Sequence, residues 1–348
     1  MNKDVLKYVR QNILALTPYS TARDEFKGGS ISVWLDANES PYDTGFNRYP
    51  DPHQKELKEH IATVKGVKAE NIFIGGSGSD EAIDLVYRVF CEPKVDNVVA
   101  IDPSYGVYAV AAAINDIELR QVALGEEFSL PVTDLLKAAD ANTKVMWICS
   151  PNNPTANAFE RQQILDLADA FDGIVVVDEA YVDFSQKGSL LDAIASHPNL
   201  IVLQTFSKAW GLASLRVGMA FSTKEIADIF GRVKYPYNVS GPTQKEIMRQ
   251  LDRDISKDVA EIIDQRCLLA EAMTAMPFVR RVHPSDANFL LVRVDDPNGL
   301  YQYLVDNGVI VRNRCRMTAC QGALRITVGT PKENALLIQL LNSYANAQ

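Results

Sequence analysis

Lys208 and Arg216 stand eight residues apart in the stretch IVLQTFSKAWGLASLRVG, residues 201–218. Its apolar start reads as a short buried strand, and a Thr, a Ser and a Lys arrive at the strand's end before a Trp-Gly break. An amine forms an imine with a carbonyl only when it is neutral. A reactive lysine therefore needs a setting where burial or nearby positive charge lowers its pKa. The end of a buried strand offers that setting, and the two cations together can hold an anionic ligand. Taken alone, both also read as ordinary surface residues, a lysine in a strand-to-helix loop and an arginine on a helix.

Other chemistry-bearing residues follow other apolar runs. Residues 72–74 read as a strand that enters GGSGSD, after which a helix begins with Ile83, Val86, Tyr87 and Phe90 on one face. Glycines permit close backbone approach, and the free N–H groups of a helix start favour an anion, so this is a phosphate cup with Ser79 and Asp80 at its rim. It also reads as a tight turn with Asp80 as N-cap. It matches neither GxxxxGK[ST] nor GxGxxG. Strand 98–102 ends in PSYGVY, which carries Tyr105; strand 144–150 ends in PNNPT, which carries Asn153; strand 174–177 ends at Asp178, with Tyr181 three residues on. Short apolar strands alternating with helices make an α/β fold with a mostly parallel sheet covered on both faces. Ligands of such sheets bind beyond the carboxyl ends of the strands, so all of these residues are expected in one crevice.

The rest of the chain supplies the frame. At 348 residues it has room for a large and a smaller domain. A net charge of -9 without a basic stripe excludes a nucleic-acid or anionic-membrane partner. No apolar run is long enough for a membrane span and the start lacks a signal-peptide core, so a cytoplasmic location is expected. Five cysteines without CxxC spacing and four scattered histidines point to reduced thiols and no metal site. The pattern predicts a strand at 33–35, a helix over 54–65 closed by Gly66, helices at 160–170 and 190–195, and a strand at 118–122. A long helical stretch is expected over 243–275. Strands at 288–294, 309–312 and 324–329 alternate with helices at 300–306 and 333–344 in a second, smaller α/β domain. The expected division is an arm (1–40) against the small domain or a partner subunit, a large domain (41–242) and a small domain (243–348). Arg312 and Arg325, on or beside small-domain strands, can clamp an anion across the cleft or simply sit on the sheet surface.

A ligand with a phosphate, an aromatic ring and a carbonyl answers this set of groups, and pyridoxal 5'-phosphate has all three. SPNNPT, VVVDEAY and TFSKAWGLASLRVG, in this order, resemble the motifs of the class I/II aminotransferases of fold type I. LTPYSTAR, WLDANESPY, NRYPD, GSGSDEAID, FCEP, PSYGVY and ALRITVGT extend the likeness to about residue 330, and within the family they are most similar to the branch acting on histidinol phosphate. The resemblance implies a seven-stranded-type sheet and pyridoxal phosphate on Lys208. It implies Asp178 at the ring nitrogen, Tyr181 and Asn153 at the ring hydroxyl, and Tyr105 stacked on the ring. Ser79, Asp80, Thr205, Ser207 and Arg216 fall around the cofactor phosphate. In a homodimer, Tyr49 reaches the neighbouring subunit's cofactor, while Tyr19, Asn38, Arg312 and Arg325 match residues around the substrate's phosphate or carboxylate. The reaction implied is exchange of an amino group between L-histidinol phosphate and 2-oxoglutarate, giving L-glutamate, in histidine biosynthesis. An aromatic amino-acid aminotransferase, a threonine-phosphate decarboxylase, a non-catalytic cofactor-binding regulator and a dehydrogenase are the competing readings. Two residues depart from the family pattern: Ala156 after PNNPT and Ser214 in GLAS, where glycine is usual. A left-handed backbone at Ala156 is strained, so a slightly altered loop is expected there.

Overall fold

The computed structural model describes residues 4–21, 25, 28 and 32–346. Seven strands form the larger sheet: β1 (Ile72–Gly78), β2 (Asn97–Asp102), β3 (Glu118–Ala123), β4 (Thr143–Cys149), β5 (Ile174–Asp178), β6 (Leu200–Thr205) and β7 (Gly218–Phe221). Their order is β1-β7-β6-β5-β4-β2-β3. β2 to β6 pair in parallel, while β7 runs antiparallel to both of its neighbours. Central strands here are near-continuous apolar runs because both faces are covered, and β5 and β6 are buried at every residue. Alternation sends their side chains to two separate cores. Val175, Val177 and Val202 meet Leu57, Ile164, Leu167 and Ile247 on one face. Ile174, Val176 and Ile201 meet Ile83, Val86, Ile226 and Phe230 on the other.

The smaller sheet contains β8 (Val279–Val282), β9 (Phe289–Val294), β10 (Arg312–Asn313) and β11 (Ala323–Thr327), in the order β10-β11-β9-β8. Every pair is antiparallel. Leu290, Val292, Leu324 and Ile326 pack under helices Ser256–Thr274, Pro297–Asp306 and Pro331–Asn346. The alternate residues, Ala323 and Arg325 among them, consequently look away from those helices. Leu291 and Ala323 meet Phe128 there, and Phe289 joins the first core of the large sheet. The small sheet thus lies over the crevice with one face turned toward it.

Several expectations change. Residues 33–35 form no strand, and Leu35 is 89% exposed. Residues 5–14 do not lie on the small sheet: Val5, Tyr8 and Val9 are buried in the second core of the large sheet, and the Arg10 amide donates to Val89 O. Their apolar side chains bury more surface there than an extended arm would. The stretch 243–275 is two helices, Gly241–Leu251 and Ser256–Thr274, separated by a turn in which Asp254 Oδ1 accepts the Ser256 N–H. Ile247 and Leu251, on the first of these helices, belong to the large core. A 3-10 turn, Leu191–Ala193, stands where a helix is predicted at 190–195. β7, β8 and helix Lys224–Val233 have no counterpart in the sequence reading, and β10 is only two residues long.

Candidate active site

Lys208 lies in the loop between β6 and β7. These strands pair antiparallel with Thr205 opposite Gly218, so the loop closes a hairpin and is not a strand-to-helix connection. Gly218 must be glycine: a Cβ there would sit 2.1 Å from the Ser79 amide nitrogen. That close approach seats the hairpin against the start of helix Ser79–Phe90. Arg216, with left-handed φ of 54°, accepts the Gly78 N–H through its carbonyl and donates from Nη2 to Ser77 O at 2.9 Å. β1 runs on to Gly78, whose φ of 76° starts the helix at Ser79. Asp80 is therefore inside the first turn and is not the N-cap. Its carboxylate accepts from Tyr105 Oη at 3.2 Å and stands 3.7 Å from Arg216. What Asp80 offers an anion is its main-chain N–H, one of the unpaired donors of the helix start.

The cavity over this floor has a volume of about 630 Å³, in the range of a cofactor-plus-substrate pocket. Ser79, Asp80, Tyr105, Asn153, Asp178, Tyr181, Thr205, Ser207, Lys208, Arg216, Arg312 and Arg325 all line it. Thr205 Oγ1 donates to Ser207 Oγ at 2.9 Å and receives the Ser207 N–H, so the two hydroxyls share one rim beside Arg216. Lys208 opens into this space, with Nζ 5.4 Å from the Tyr181 ring centre. Its exposure is to the cavity. Protein on the remaining sides lowers its pKa by burial first, then by the positive charges of Arg325 and Arg216. The neutral amine is correspondingly easier to reach.

Asp178 sits at the end of β5, 2% exposed, and burial pushes its pKa up to about 6. Opposing that rise, Tyr108 Oη donates to Asp178 Oδ2 at 2.8 Å and the Ala180 N–H donates to Oδ1 at 3.1 Å. Tyr108 is a buried partner that sequence reasoning missed. Its ring stacks on Trp147 with centres 4.8 Å apart and meets the Tyr105 ring edge to face at 5.7 Å. Asn153 Oδ1 accepts from Arg325 Nη1 at 2.5 Å, which leaves its amide NH2 as a donor toward the cavity. Arg314, also missed, lines the cavity near Arg312 and Arg325.

Three candidates lie elsewhere. Tyr49 and Asn38 line a second cavity with Tyr237, on which Tyr49 stacks at 4.4 Å. Tyr19 is 74% exposed. Within one chain these three residues do not line the cavity that holds Lys208. Ala156 keeps the left-handed conformation, with φ of 72°, and is fully buried. The loop has not moved to avoid the strain, because the Ala156 N–H donates to Asn152 O and its carbonyl accepts from Asp286 of the small unit, both at 2.8 Å. Ser214 is exposed in a 3-10 turn and its φ is not positive, so it carries no such strain. Among the described residues no His, Cys, Asp or Glu group is arranged to hold a metal, and no helix is long and apolar enough to cross a membrane.

An anion-binding helix start, a buried carboxylate at one end, aromatic walls and a lysine with lowered pKa fit pyridoxal phosphate; the unpaired N–H groups of the helix start and the buried carboxylate answer opposite ends of it. The sheet order and this pocket define a fold type I pyridoxal-phosphate enzyme. The family "Aminotransferase class I and II" matches residues 22–341, and the chain belongs to it. The histidinol-phosphate aminotransferase of Parabacteroides distasonis is 50% identical, covering 98% of this chain and 99% of that one. Among solved structures, the histidinol-phosphate aminotransferase of Clostridium acetobutylicum superposes with a TM-score of 0.81 at 21% identity, over 87% of this chain and 92% of that one. That of Sinorhizobium meliloti, determined in complex with pyridoxal 5'-phosphate, gives 0.78 at 22% identity, over 86% and 83%. These two structures compare the fold alone.

Proposed function

We propose that this chain is a pyridoxal-phosphate-dependent transaminase that exchanges an amino group between L-histidinol phosphate and 2-oxoglutarate in histidine biosynthesis. The observation that carries the chemistry is Lys208, its pKa lowered, in the same pocket as the buried Asp178. The substrate reading rests on relatives of this name that match nearly the full length. When bound, the cofactor supplies an electron-withdrawing ring that accepts the electron pair of the substrate's Cα–H bond. Asp178 keeps the ring nitrogen protonated, and Lys208 moves the proton at the substrate carbon. Tyr181 and the Asn153 amide donate to the ring hydroxyl oxygen, while Tyr105 covers the ring. Ser79, Asp80, Thr205, Ser207 and Arg216 hold the cofactor phosphate. Arg312 and Arg325 hold the anionic end of the substrate.

The working form is a cytoplasmic homodimer in which Tyr49 reaches the neighbouring subunit's phosphate and Tyr19 and Asn38 complete the substrate pocket. Supporting this, Leu35, Tyr42 and Phe46 are each at least 77% exposed on the same segment, apolar surface that a subunit interface would cover. The domain reading becomes an N-terminal segment, a large cofactor-binding unit and a small unit.

The test is direct. The purified protein should be yellow, and borohydride should fix the cofactor on Lys208, as read by peptide mass. Lys208→Ala should abolish turnover of L-histidinol phosphate. Fast transamination of phenylalanine with none of histidinol phosphate would overturn the substrate, and a fully active Lys208→Ala would overturn the site.

A further inference from the structure

The small sheet brings a third guanidinium into the pocket. β10 and β11 pair with Arg312 directly opposite Arg325. The Arg314 N–H then donates to Ala323 O at 3.0 Å, which continues the ladder by one more step. Arg314 is two residues from Arg312, so it falls on the same face, and the small Ala323 opposite leaves space beside it. All three arginines line the 630 Å³ cavity. Like charges across a ladder are unfavourable. Among the described residues none of the three has a carboxylate in an ion pair; Arg325 has only the neutral Asn153 oxygen and the face of Phe289 at 5.2 Å. The Nε atoms of both Arg314 and Arg325 are buried without an acceptor. Orphaned buried donors are retained where a ligand supplies the missing acceptors.

We propose that Arg314 is a specificity-determining residue that selects a dianionic phosphate at the far end of the amine substrate. The inference rests on the substrate reading above and deepens it. Histidinol phosphate has no carboxylate, so its phosphate is the only anionic group the clamp can grip. Such a group carries nearly two charges and several acceptor oxygens near neutral pH, more than one arginine answers. Arg314 adds the charge and the donors that distinguish it from a single carboxylate or an uncharged ring.

The experiment compares the cofactor-loaded wild type, Arg314→Gln and Arg314→Lys, using L-histidinol phosphate and unphosphorylated L-histidinol as amine donors. In Arg314→Gln, KM for the phosphorylated donor should rise about 10- to 100-fold, the span of a lost charge-assisted hydrogen bond, with kcat within about threefold. The preference for the phosphorylated donor, taken as a ratio of kcat/KM values, should fall by the same factor, and Arg314→Lys should recover part of it. Inorganic phosphate should also raise the melting temperature of wild-type holoenzyme at concentrations about tenfold or more below those needed for Arg314→Gln. An unchanged donor ratio together with unchanged phosphate protection overturns the proposal. If wild type ignores histidinol phosphate, the substrate reading fails, while loss of phosphate protection in Arg314→Gln alone still upholds the clamp. Should Arg314→Gln not fold, an Arg314→Lys variant with a reduced donor ratio and weakened phosphate protection upholds it, and one with the wild-type donor ratio overturns it.

Discussion

Asp178 is expensive to the fold and necessary to the chemistry. Its pKa in the folded chain, about 6, lies above its ordinary value of 3.8, so the folded state holds the proton more tightly. The resulting stabilisation is full below about pH 4 and is lost as pH rises through about 6, leaving a deficit on the order of 3 kcal/mol above that. Cofactor-free Asp178→Asn should therefore unfold at higher denaturant than wild type at pH 8, with the gap closing near pH 4, even though its turnover is lost. Tyr108→Phe tests the opposing effect. Removing its hydroxyl takes away one of two donors to the carboxylate, so the acid limb of kcat/KM against pH should move upward, and kcat/KM at pH 7 should fall about tenfold. An unmoved acid limb would show that Tyr108 only packs against Trp147. Lys208 and Asp178 were readable because one lies just past a strand and the other ends one. Tyr108 was not, since its partner lies 70 residues away and its ring points back into a core.

Among the elements, the β6–β7 hairpin and the start of helix Ser79–Phe90 interlock at main-chain distance. Gly218→Ala puts a methyl group against backbone that cannot yield as a flexible side chain would. It should cost about 1–3 kcal/mol of stability, measured by denaturant midpoint, and should weaken cofactor binding in equilibrium titration because the anion-binding N–H groups are displaced. Wild-type values for both would show that the cup tolerates that shift. The alternation of apolar runs disclosed the parallel strands to within a residue or two. β7 escaped because GMAF is four residues without periodicity, and β8 because VRRV is half arginine. Arg314 had a signal that went unused: arginines at i and i+2 on a strand share a face, and RNR spells that spacing beside Arg325.

For the whole molecule, the pocket is an agreement between two sheets. Arg325 joins Asn153 across the cleft, and Asp286 joins the loop at Ala156 and Ala158. A third participant is expected in Tyr49, which stands outside the pocket of its own chain. Mixing equal amounts of Lys208→Ala and Tyr49→Phe subunits, dissociated and reassembled, should restore about a quarter of wild-type activity: half the dimers are mixed and each holds one intact site. Recovery no greater than the sum of the two homodimers would place Tyr49 outside the partner's site. The hairpin carrying Lys208 also bears on how the chain reaches its native state. Thr205 and Gly218 close a loop of only twelve residues, 206–217, an event of microseconds. Setting β7 beside β1 instead joins segments more than 140 residues apart, from Ile72 to Phe221, and such distant pairing is slow. The cofactor needs both contacts. During refolding, its absorbance should therefore return after most of the far-ultraviolet circular dichroism has recovered, making the bound colour a signal that the last strand has found its place.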